Sequence, residues 1–500
     1  MITRPMRFSS LRYHCLALAV AAFAGVSPAA PPAVDWHPWN AASFTAAREA
    51  GRSVYVFIDA PLSELSRTTR EQTLSRPETV EWINANFFPI LVDGDAHPGV
   101  AAYGQHFINT VKQLRGSPVH LWLTPDLLPY DGANYLPPSE EWGKPGFLKS
   151  ARSALDRWTQ NPDQARALAA EALALMTPYA FKPGAPVDAD KRIQSATTAW
   201  LELADPRHHG FDTVPKLPRP ELLRFLLQHR EPGARDAALA AAQAMITSPL
   251  RDPADGGFYT RTIDEAWQEP YRQKLLDEQA RIALALFDAA DVAATPAAAR
   301  AFRSAAEGAL DFVLQSLGVS TGHYSAALDY TVPGSPTRVG VANTADLAWL
   351  LAALTRADAP RFATAADRLA QTLHTAINSS EGVEHIIGGG EPATATDLTA
   401  LALAFRARRD DATADALLST AVDRYFDAEL GIFLAAPEAL PPGIALRVPS
   451  PQNAVTAEAL ALLAGIKQET ADPLRQGLWG AIEYEPTPAG DVLLALQPQP

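Results

Sequence analysis

The sequence predicts a mixed α/β unit followed by an all-helical unit in one chain of 500 residues. Short β-branched and aromatic runs alternate with helical segments in the first part of the chain. Ala-rich segments with helical periodicity fill the second part, and a stretch rich in Pro and Gly at 182–186 separates the two. Hydrophobic residues make up 47% of the chain and charged residues 20%, which is typical of a folded protein. The net charge of −14 argues against nucleic-acid binding.

Residues 1–29 have the pattern of a secretory signal peptide. Three arginines and no acidic residue precede an apolar run at 15–24, and small residues follow with a cleavage position after Ala29. The run is too short to cross a bilayer as a helix, and an uncleaved anchor is the alternative. Because Cys15 is the only cysteine, the cleaved chain would have no thiol chemistry of its own. The pattern predicts a secreted or periplasmic protein with no membrane contact after cleavage.

The N-terminal unit, at 34–160, alternates strands and helices in the order β-α-β-α-β-β-α. The first two strands need a helical crossover and the last two need only a hairpin, and this order is typical of a thioredoxin-like sandwich. A helical connector and linker are predicted at 161–185. The predicted elements of the unit are strands at 53–58, 88–92, 119–123 and 128–135 and helices at 67–86, 100–113 and 145–158.

Beyond the linker the pattern is almost entirely helical, in about eleven segments that carry apolar faces. Pairs of helices of this length form either a helical solenoid or a toroid of six hairpins. The connecting loops are long and several combine Gly with aromatic residues, which favours a pocket at one mouth. In one segment, spacings of four and three place on a single face Leu276, Ala280, Ala283, Phe287 and Ala290.

Several motifs in both units occur in the order found in one known family. They are Trp-His-Pro-Trp at 36–39, the segment 84–93, Ser-Pro-Val-His-Leu-Trp-Leu-Thr-Pro-Asp at 117–126, and Gly-Gly-Phe at 256–258 followed by Asp264 and Trp267. The chain thereby resembles the spermatogenesis-associated thioredoxin-like proteins. The resemblance implies a thioredoxin-like domain at 34–160 and an (α/α)6 barrel of the six-hairpin glycosidase type at 186–490.

The chain departs from this family at the redox loop of the thioredoxin-like domain. Where the family has Cys-His-Trp-Cys-His, this chain has Ser63 and Ser66 at the same spacing. Serine forms neither a thiolate nor a disulfide, so the domain is expected to be redox-inactive. The two serines are also good helix N-caps. Pro118 stands where thioredoxin-like folds hold a cis-proline, and either isomer fits the sequence.

The helical unit departs from the family as well. Tyr271 and Gln273 stand where the family has His and Glu, so its best acid–base candidate is missing. Lys274 is retained and is a candidate substrate-binding residue. A helix-surface ion pair of Lys274 with Asp277 or Glu278 is the alternative.

Acidic and aromatic residues in the barrel loops are the remaining candidates for chemistry. Asp264 and Glu265 are candidate acid or base groups, and His323 is a candidate proton carrier. A solvated acidic rim, helix capping and plain packing of aromatic rings are the alternatives. The substrate-binding candidates are Phe258, Tyr259, Trp267, Lys274, Tyr324 and Asn453.

Two functions are therefore predicted. In the first, an exported barrel binds or processes a carbohydrate, as a glycoside hydrolase or sugar epimerase, beside a redox-inactive domain. In the second, the protein is a non-enzymatic periplasmic interaction or chaperone-like module. The expected partner is a saccharide or a periplasmic protein, and no metal ion or cofactor is expected. The missing thiols argue against a thiol oxidoreductase.

Overall fold

The computed structural model describes residues 33–176, 183–186, 188–330, 336–380, 382–434, 453–483 and 485–497. The predicted signal peptide lies outside this range. Among the described residues, no helix is both long and apolar enough to span a membrane.

The N-terminal unit consists of a five-stranded sheet with helices on both faces. A π-helical turn at Thr69–Thr73 extends its second helix. In chain order the elements are β1 (His37–Pro38), α1 (Ala41–Ala50), β2 (Val54–Asp59), α2 (Glu64–Thr68), α3 (Pro77–Asn86), β3 (Phe88–Asp93), α4 (Pro98–Lys112), β4 (Val119–Leu123), β5 (Pro129–Ala133), α5 (Phe147–Gln160) and α6 (Pro162–Met176).

The strand order in the sheet is β1-β3-β2-β4-β5, in which the short strand β1 was not predicted. Strand β2 pairs in parallel with β3 and antiparallel with β4, and β4 pairs antiparallel with β5. Alternate residues of β2 belong to two different hydrophobic cores. Val54 and Val56 pack on one face of the sheet, and Tyr55 and Phe57 pack on the other. The thioredoxin-like class of this unit is confirmed.

The helix α6 belongs to the N-terminal unit. It contacts β5, α4 and α5, and its Ala165, Ala169, Ala172 and Met176 are buried in the cores on the two faces of the sheet. The segment predicted as a connector is therefore part of the packed domain, because its small residues fit closely against the sheet and neighbouring helices.

The C-terminal unit is built from helices joined by loops that carry short strands. The strands are β6 (Gln273–Leu275), β7 (Gly318–Ser320), β8 (His323–Tyr324), β9 (Ala327–Asp329), β10 (Thr337–Val339), β11 (Phe426–Asp427) and β12 (Ile432–Phe433). The helices are α7 (Ala189–Glu202), α8 (Pro220–Gln228), α9 (Pro232–Thr247), α10 (Leu276–Val292), α11 (Pro296–Phe312), α12 (Thr344–Arg356), α13 (Pro360–Ile377), α14 (Ala395–Ala407), α15 (Asp411–Tyr425), α16 (Asn453–Leu463), α17 (Gln468–Ile482) and α18 (Gly490–Leu496).

Alternate helices of this unit close into a ring. Helix α8 contacts α10, and the contacts continue through α12, α14 and α16 to α18, which packs back on α8. The remaining helices lie outside this inner ring; α11 packs on α10, for example, and α15 on α14. Because the last inner helix contacts the first, the unit is a closed (α/α)6 barrel, and the solenoid alternative is wrong.

The two units are in direct contact. The guanidinium of Arg67 pairs with the carboxylate of Asp329 at 2.9 Å. The hydroxyl of Tyr271 donates to Glu64 at 2.9 Å, and the amide of Gln273 donates to the carbonyl of Leu62 at the same distance. The loop between β2 and α2, where the family has its cysteines, therefore faces the barrel.

Candidate functional site

Asp264 organises the turn in which it lies. Its carboxylate accepts backbone N–H groups of Ala266, Gln268 and Glu269. Burial works against ionisation, but these hydrogen bonds prevail and lower the pKa of Asp264. A carboxylate held in this way is a poor proton donor, so its geometry favours the capping interpretation over the acid–base role.

The other two catalytic candidates lie on the surface. Glu265 is exposed, and its backbone carbonyl accepts a hydrogen bond from Lys216 at 2.7 Å. His323 is exposed as well, and its Nδ1 lies 3.1 Å from the carbonyl of Thr321. Because neither side chain faces an enclosed space with a second titratable partner, neither position offers the arrangement that acid–base chemistry requires.

Most of the aromatic candidates are packing residues. Phe258 is fully buried, and Trp267 is only 2% exposed with its Nε1–H donated to the carbonyl of His208. Tyr324 is buried in the same core. These rings leave no face for a sugar to stack on, so the stacking platform predicted in this loop is not formed. Asn453 begins α16, and its side chain lies outside the described part of the structure.

Lys274 forms a buried ion cluster beneath this loop. Its ammonium lies 2.8 Å from Asp252 and 2.7 Å from Asp255, and it also faces the ring of Tyr259 at 4.6 Å from the centroid. Lys274 is in β6 rather than in a helix, so the predicted i+3 or i+4 pair with the acids of α10 does not form. The substrate-binding role is not supported, because the ammonium is already enclosed by its partners.

The two serines at the former redox positions are structural. The hydroxyl of Ser63 accepts the N–H of Ser66 at 3.4 Å as the N-cap of α2. The Ser66 hydroxyl is buried and accepts the N–H of Ala60 at 3.1 Å. The Ser117–Pro118 peptide is cis. The hydroxyls of Ser63 and Ser66 thus both accept backbone N–H groups in the segment that leads from β2 into α2.

A different set of acidic residues gathers where the inner helices begin. Carboxylates near a helix N-terminus are favoured by the helix dipole, and ring closure brings these termini to one mouth of the barrel. The thioredoxin-like unit lies over this mouth. The acids in the first turns of the inner helices are Glu221 on α8, Asp277 and Glu278 on α10, Asp346 on α12, Asp397 on α14 and Asp491 on α18.

Arg281 lies among the acids of α8 and α10. Its guanidinium donates to Glu221 at 2.7 Å and approaches Asp277 at 3.8 Å. The same group stacks on the indole of Trp349, 4.4 Å from the ring centroid. Trp349 is only 4% exposed, yet its Nε1–H has no hydrogen-bond partner among the described residues, and the same holds for Glu278 Oε2. Unpaired buried polar atoms of this kind are uncommon in a finished core.

A charged histidine, His385, lies in the loop before the inner helix α14. His385 Nδ1 lies 2.8 Å from Asp397, which also accepts the N–H of Thr394 and the N–H of Ala345. Burial alone would lower the pKa of His385, but the hydrogen bond and charge of Asp397 raise it to about 9. The pair therefore exists as an imidazolium and a carboxylate at neutral pH.

The thioredoxin-like unit contributes Asp95 to the mouth. The pKa of Asp95 is raised to about 6. Burial is the largest cause, and the nearby charges of Asp93 and Asp277 raise the pKa further. The pKa of Asp346 is raised well above its usual value by burial and by the charges of Asp277 and Asp95. Asp95 nevertheless has an exposed side chain.

A cavity of about 480 Å³ opens at the junction of the two units. Trp36, Trp39, Asp59 and Asp93 line it from the thioredoxin-like unit, and the barrel contributes a loop that includes His385. In the described part of the chain, no group of three or more His, Cys, Asp or Glu side chains is arranged to hold a metal ion.

The sequence interpretation missed this site because its members are far apart along the chain. The sequence groups Asp277 and Glu278 with the acids around the loop of Asp264 and offers them as ion-pair partners of Lys274, but it does not predict Asp346, Asp397 or Asp95 as members of a site. The sequence does contain one signal of this site, because an acid stands at a similar position in the first turn of successive inner helices. Examples are Asn-Thr-Ala-Asp at 343–346 and Thr-Ala-Thr-Asp at 394–397.

Comparison with known proteins agrees with the N-terminal architecture. A family model named Thioredox_DsbH, described as a protein of unknown function (DUF255), matches residues 24–177. The chain is 26% identical over 316 residues to spermatogenesis-associated protein 20 of Rattus norvegicus, and the Homo sapiens protein matches equally well. Over these residues the chain is similar to spermatogenesis-associated protein 20. The match covers 60% of this chain and only 39% of spermatogenesis-associated protein 20 itself.

Solved structures similar to this chain include sugar epimerases. A sugar epimerase from a ruminal bacterium is 14% identical, with a TM-score of 0.44 over 59% of this chain and 86% of the epimerase. Cellobiose 2-epimerase from Bacillus thermoamylovorans is 12% identical, with a TM-score of 0.46 over 59% and 87%. At this level the likeness does not bear on activity, and the ring closure described above establishes the barrel.

Proposed function

We propose that the barrel mouth binds a saccharide and carries out acid–base chemistry on it. The observation that carries the proposal is the pair Asp277 and Asp346, on the neighbouring inner helices α10 and α12. The charge of Asp277 raises the pKa of Asp346, so the two carboxyl groups interact where these helices begin. Chemistry at a glycosidic bond or sugar carbon uses one group that gives a proton and one that accepts it.

The two carboxyl groups differ in a way that assigns their roles. Burial raises the pKa of Asp346 well above its usual value, although its Oδ2 accepts the N–H of Asn343, and this rise favours Asp346 as the acid. Burial also raises the pKa of Asp277, but the charge of Arg281 opposes this rise. Asp277 is therefore the more acidic of the two and serves as the base.

Neighbouring groups have the chemistry to hold sugar hydroxyls. The Nε1–H of Trp349 and the Oε2 of Glu278 have no hydrogen-bond partner among the described residues, and they supply a donor and an acceptor or acid. The thioredoxin-like unit, with Ser63 and Ser66 in its redox loop, is proposed to cover the mouth and to have no thiol function.

A saccharide panel measured by thermal shift, followed by calorimetry and product analysis on the best ligand, tests the proposal. We expect a hit whose turnover falls at least a hundredfold in Asp277→Asn and in Asp346→Asn. Glu265→Gln, the same kind of change at an exposed barrel carboxylate, is the matched control and should retain turnover. A panel in which no saccharide binds would refute the proposal and would favour a non-enzymatic interaction module.

A further inference from the structure

The cavity at the junction of the two units is lined by a motif to which the mouth of the barrel gives no role. In Trp-His-Pro-Trp at 36–39, the two central residues form the short strand β1, which lies parallel to β3 at the edge of the sheet. All four residues of the motif line the cavity of about 480 Å³. A volume of this size is typical of a ligand pocket.

The indole of Trp36 gives the cavity an aromatic wall. Its ring packs against Tyr55 and Phe57 of the sheet, with ring centroids 5.9 and 6.2 Å away. Trp36 is nevertheless only half-buried, and it lines the cavity beside Trp39. The face of an indole is flat and apolar, so it matches the C–H face of a sugar ring.

Two aspartates line the cavity at the carboxyl ends of parallel strands, where ligands of such sheets commonly bind. Asp59 ends β2 and Asp93 ends β3, and the two residues are direct partners in the register of these strands. Asp59 pairs with Arg70, and Asp93 accepts the N–H groups of Asp95 and Ala96 through one oxygen, Oδ1. Because a carboxylate has about four acceptor positions, both aspartates can still accept hydroxyl groups.

The barrel supplies the loop from His385 to Glu391 to the same cavity. The N–H of His385 bonds to the carbonyl of Glu391 at 2.8 Å, which closes the loop on itself. On the other side of the junction, the imidazole Nε2 of His97 lies 3.9 Å from the Glu391 carboxylate. The cavity is therefore formed by both units together.

Two ion pairs of the cavity wall are complete within the protein. Asp59 pairs with Arg70, and the imidazolium of His385 pairs with Asp397. In the part of the chain that the structure describes, no three metal-ligating side chains converge on a common point. The wall thus offers hydrogen-bonding groups beside an aromatic ring, and this combination suits a polyhydroxylated ring better than an ion.

His385 connects this cavity to the helix that carries the proposed acid. Its carbonyl accepts the N–H of Thr344 at 2.7 Å at the start of α12, and Asp346 follows two residues later. Its Nδ1 also pairs with Asp397 at the start of α14. Because the cavity wall is bonded directly to these helix starts, a ligand longer than one sugar ring can extend from the acid at α12 into the cavity.

We infer that the substrate is an oligosaccharide, of which one ring reacts at the mouth of the barrel while another lies in the junction cavity against Trp36. The inference rests on the proposed saccharide function and adds the length of the substrate. Single sugars lack the ring that the cavity holds. The thioredoxin-like unit, which has no thiols, supplies this second binding position.

Isothermal titration calorimetry on the full chain measures the effect of substrate length. The probes are glucose and mannose, together with the β-1,4-linked dimer and trimer of each. We expect the dimer or trimer of the preferred sugar to bind at least about tenfold more tightly than the single sugar, because the second ring adds contacts in the cavity.

Two substitutions locate this gain in the cavity. Ala96 lines the cavity, so Ala96→Phe fills part of it, whereas Trp36→Leu removes its aromatic wall. Each should abolish most of the tenfold gain. Ala50→Phe and Trp142→Leu, the same changes at exposed residues of the same unit, are the matched controls and should retain it. Melting temperatures show which variants are folded, and either cavity variant is sufficient for the test.

The possible results separate the two proposals. Equal affinity for single sugars and trimers overturns the oligosaccharide inference and leaves the saccharide function standing. A gain that persists in a folded cavity variant, or that the matched control loses equally, also overturns it, because the second ring then lies elsewhere. If no saccharide binds at all, both proposals are refuted.

Discussion

His385 links the loop before α14 to the helix itself. Its charged ring is nearly buried and pairs with Asp397, whose carboxylate also fixes the start of α12 through the N–H of Ala345. One ion pair thereby holds two inner helices at the mouth. The geometry of the proposed site depends on it, because Asp346 lies in the first turn of α12.

The pH dependence of stability tests this pair. The folded pKa of His385, about 9, exceeds the usual value of 6.5, so its stabilisation is complete below pH 6.5 and is lost as pH rises through 9. We expect the free energy of unfolding to fall by about 3 kcal/mol between pH 6.5 and pH 9 as His385 loses its charge. Urea unfolding at several pH values measures it. An equally steep decline in His385→Asn would show that other groups are responsible.

The candidate site shows how far single residues can be interpreted without a structure. Asp264 was chosen because it follows a Gly-Gly-Phe loop with aromatic neighbours, but the sequence does not reveal that nearby N–H groups hold its carboxylate. Asp346 and Asp277 lie on different hairpins, and only closure of the ring brings them together. The capping role of Ser63 was predictable, because N-caps depend on local sequence alone.

Two inner helices hold their preceding loops in the same way. Gln279 of α10 accepts the N–H of Phe258 and donates to its carbonyl, both at 2.7 Å. Glu458 of α16 accepts the N–H of Phe433 at 3.0 Å, and its other oxygen is unpaired within the described residues. Burial raises the pKa of Glu458 well above its usual value. A protonated Glu458 is thus the counterpart of Gln279, and it is part of the scaffold.

Replacing Glu458 by Gln should therefore stabilise the protein. Above pH 4.5 the unfolded state releases this proton, whereas the native state keeps it. Keeping the proton costs free energy of folding that grows with pH, and an amide, which does not titrate, removes that cost. We expect Glu458→Gln to raise the free energy of unfolding by at least about 1 kcal/mol at pH 7 and to have no effect at pH 4. Urea titration at the two pH values gives the answer. Glu458→Ala, which leaves the N–H of Phe433 unpaired, should instead cost about 2 kcal/mol.

The ion cluster at β6 gives a second test at this scale. Lys274→Met would leave the half-buried carboxylates of Asp252 and Asp255 without their shared cation. We expect a loss of about 3 kcal/mol in chemical unfolding. Lys191→Met breaks an ion pair with Asp188 on an exposed helix start and should leave stability nearly unchanged. Equal effects of the two substitutions would contradict the buried role of Lys274.

Docking of the two units is carried by polar contacts around the former redox loop. The ion pair of Arg67 with Asp329 crosses this interface, and the carboxylate of Asp329 is almost buried. The order of strands and the helical nature of the second unit were predictable from apolar periodicity. The docking was not, because it depends on polar side chains whose partners lie more than two hundred residues away.

Charge reversal at this contact tests the docking. Arg67→Asp places two acids together and should destabilise the interface by about 2 kcal/mol, so that the two units unfold in separate calorimetric transitions. The exchanged pair, Arg67→Asp with Asp329→Arg, should restore much of the coupling. If the exchange restores nothing while each single variant is folded, the ion pair does not hold the units together.

The most direct measurement of the central claim is the crystal structure of the protein with its best-binding trisaccharide. The account predicts that the sugar lies in the mouth of the barrel, in contact with Asp277, Asp346 and Trp349 and covered by Asp95 of the other unit. A sugar bound instead in the loop of Asp264 and His323, or on the outer surface of either unit, would contradict it.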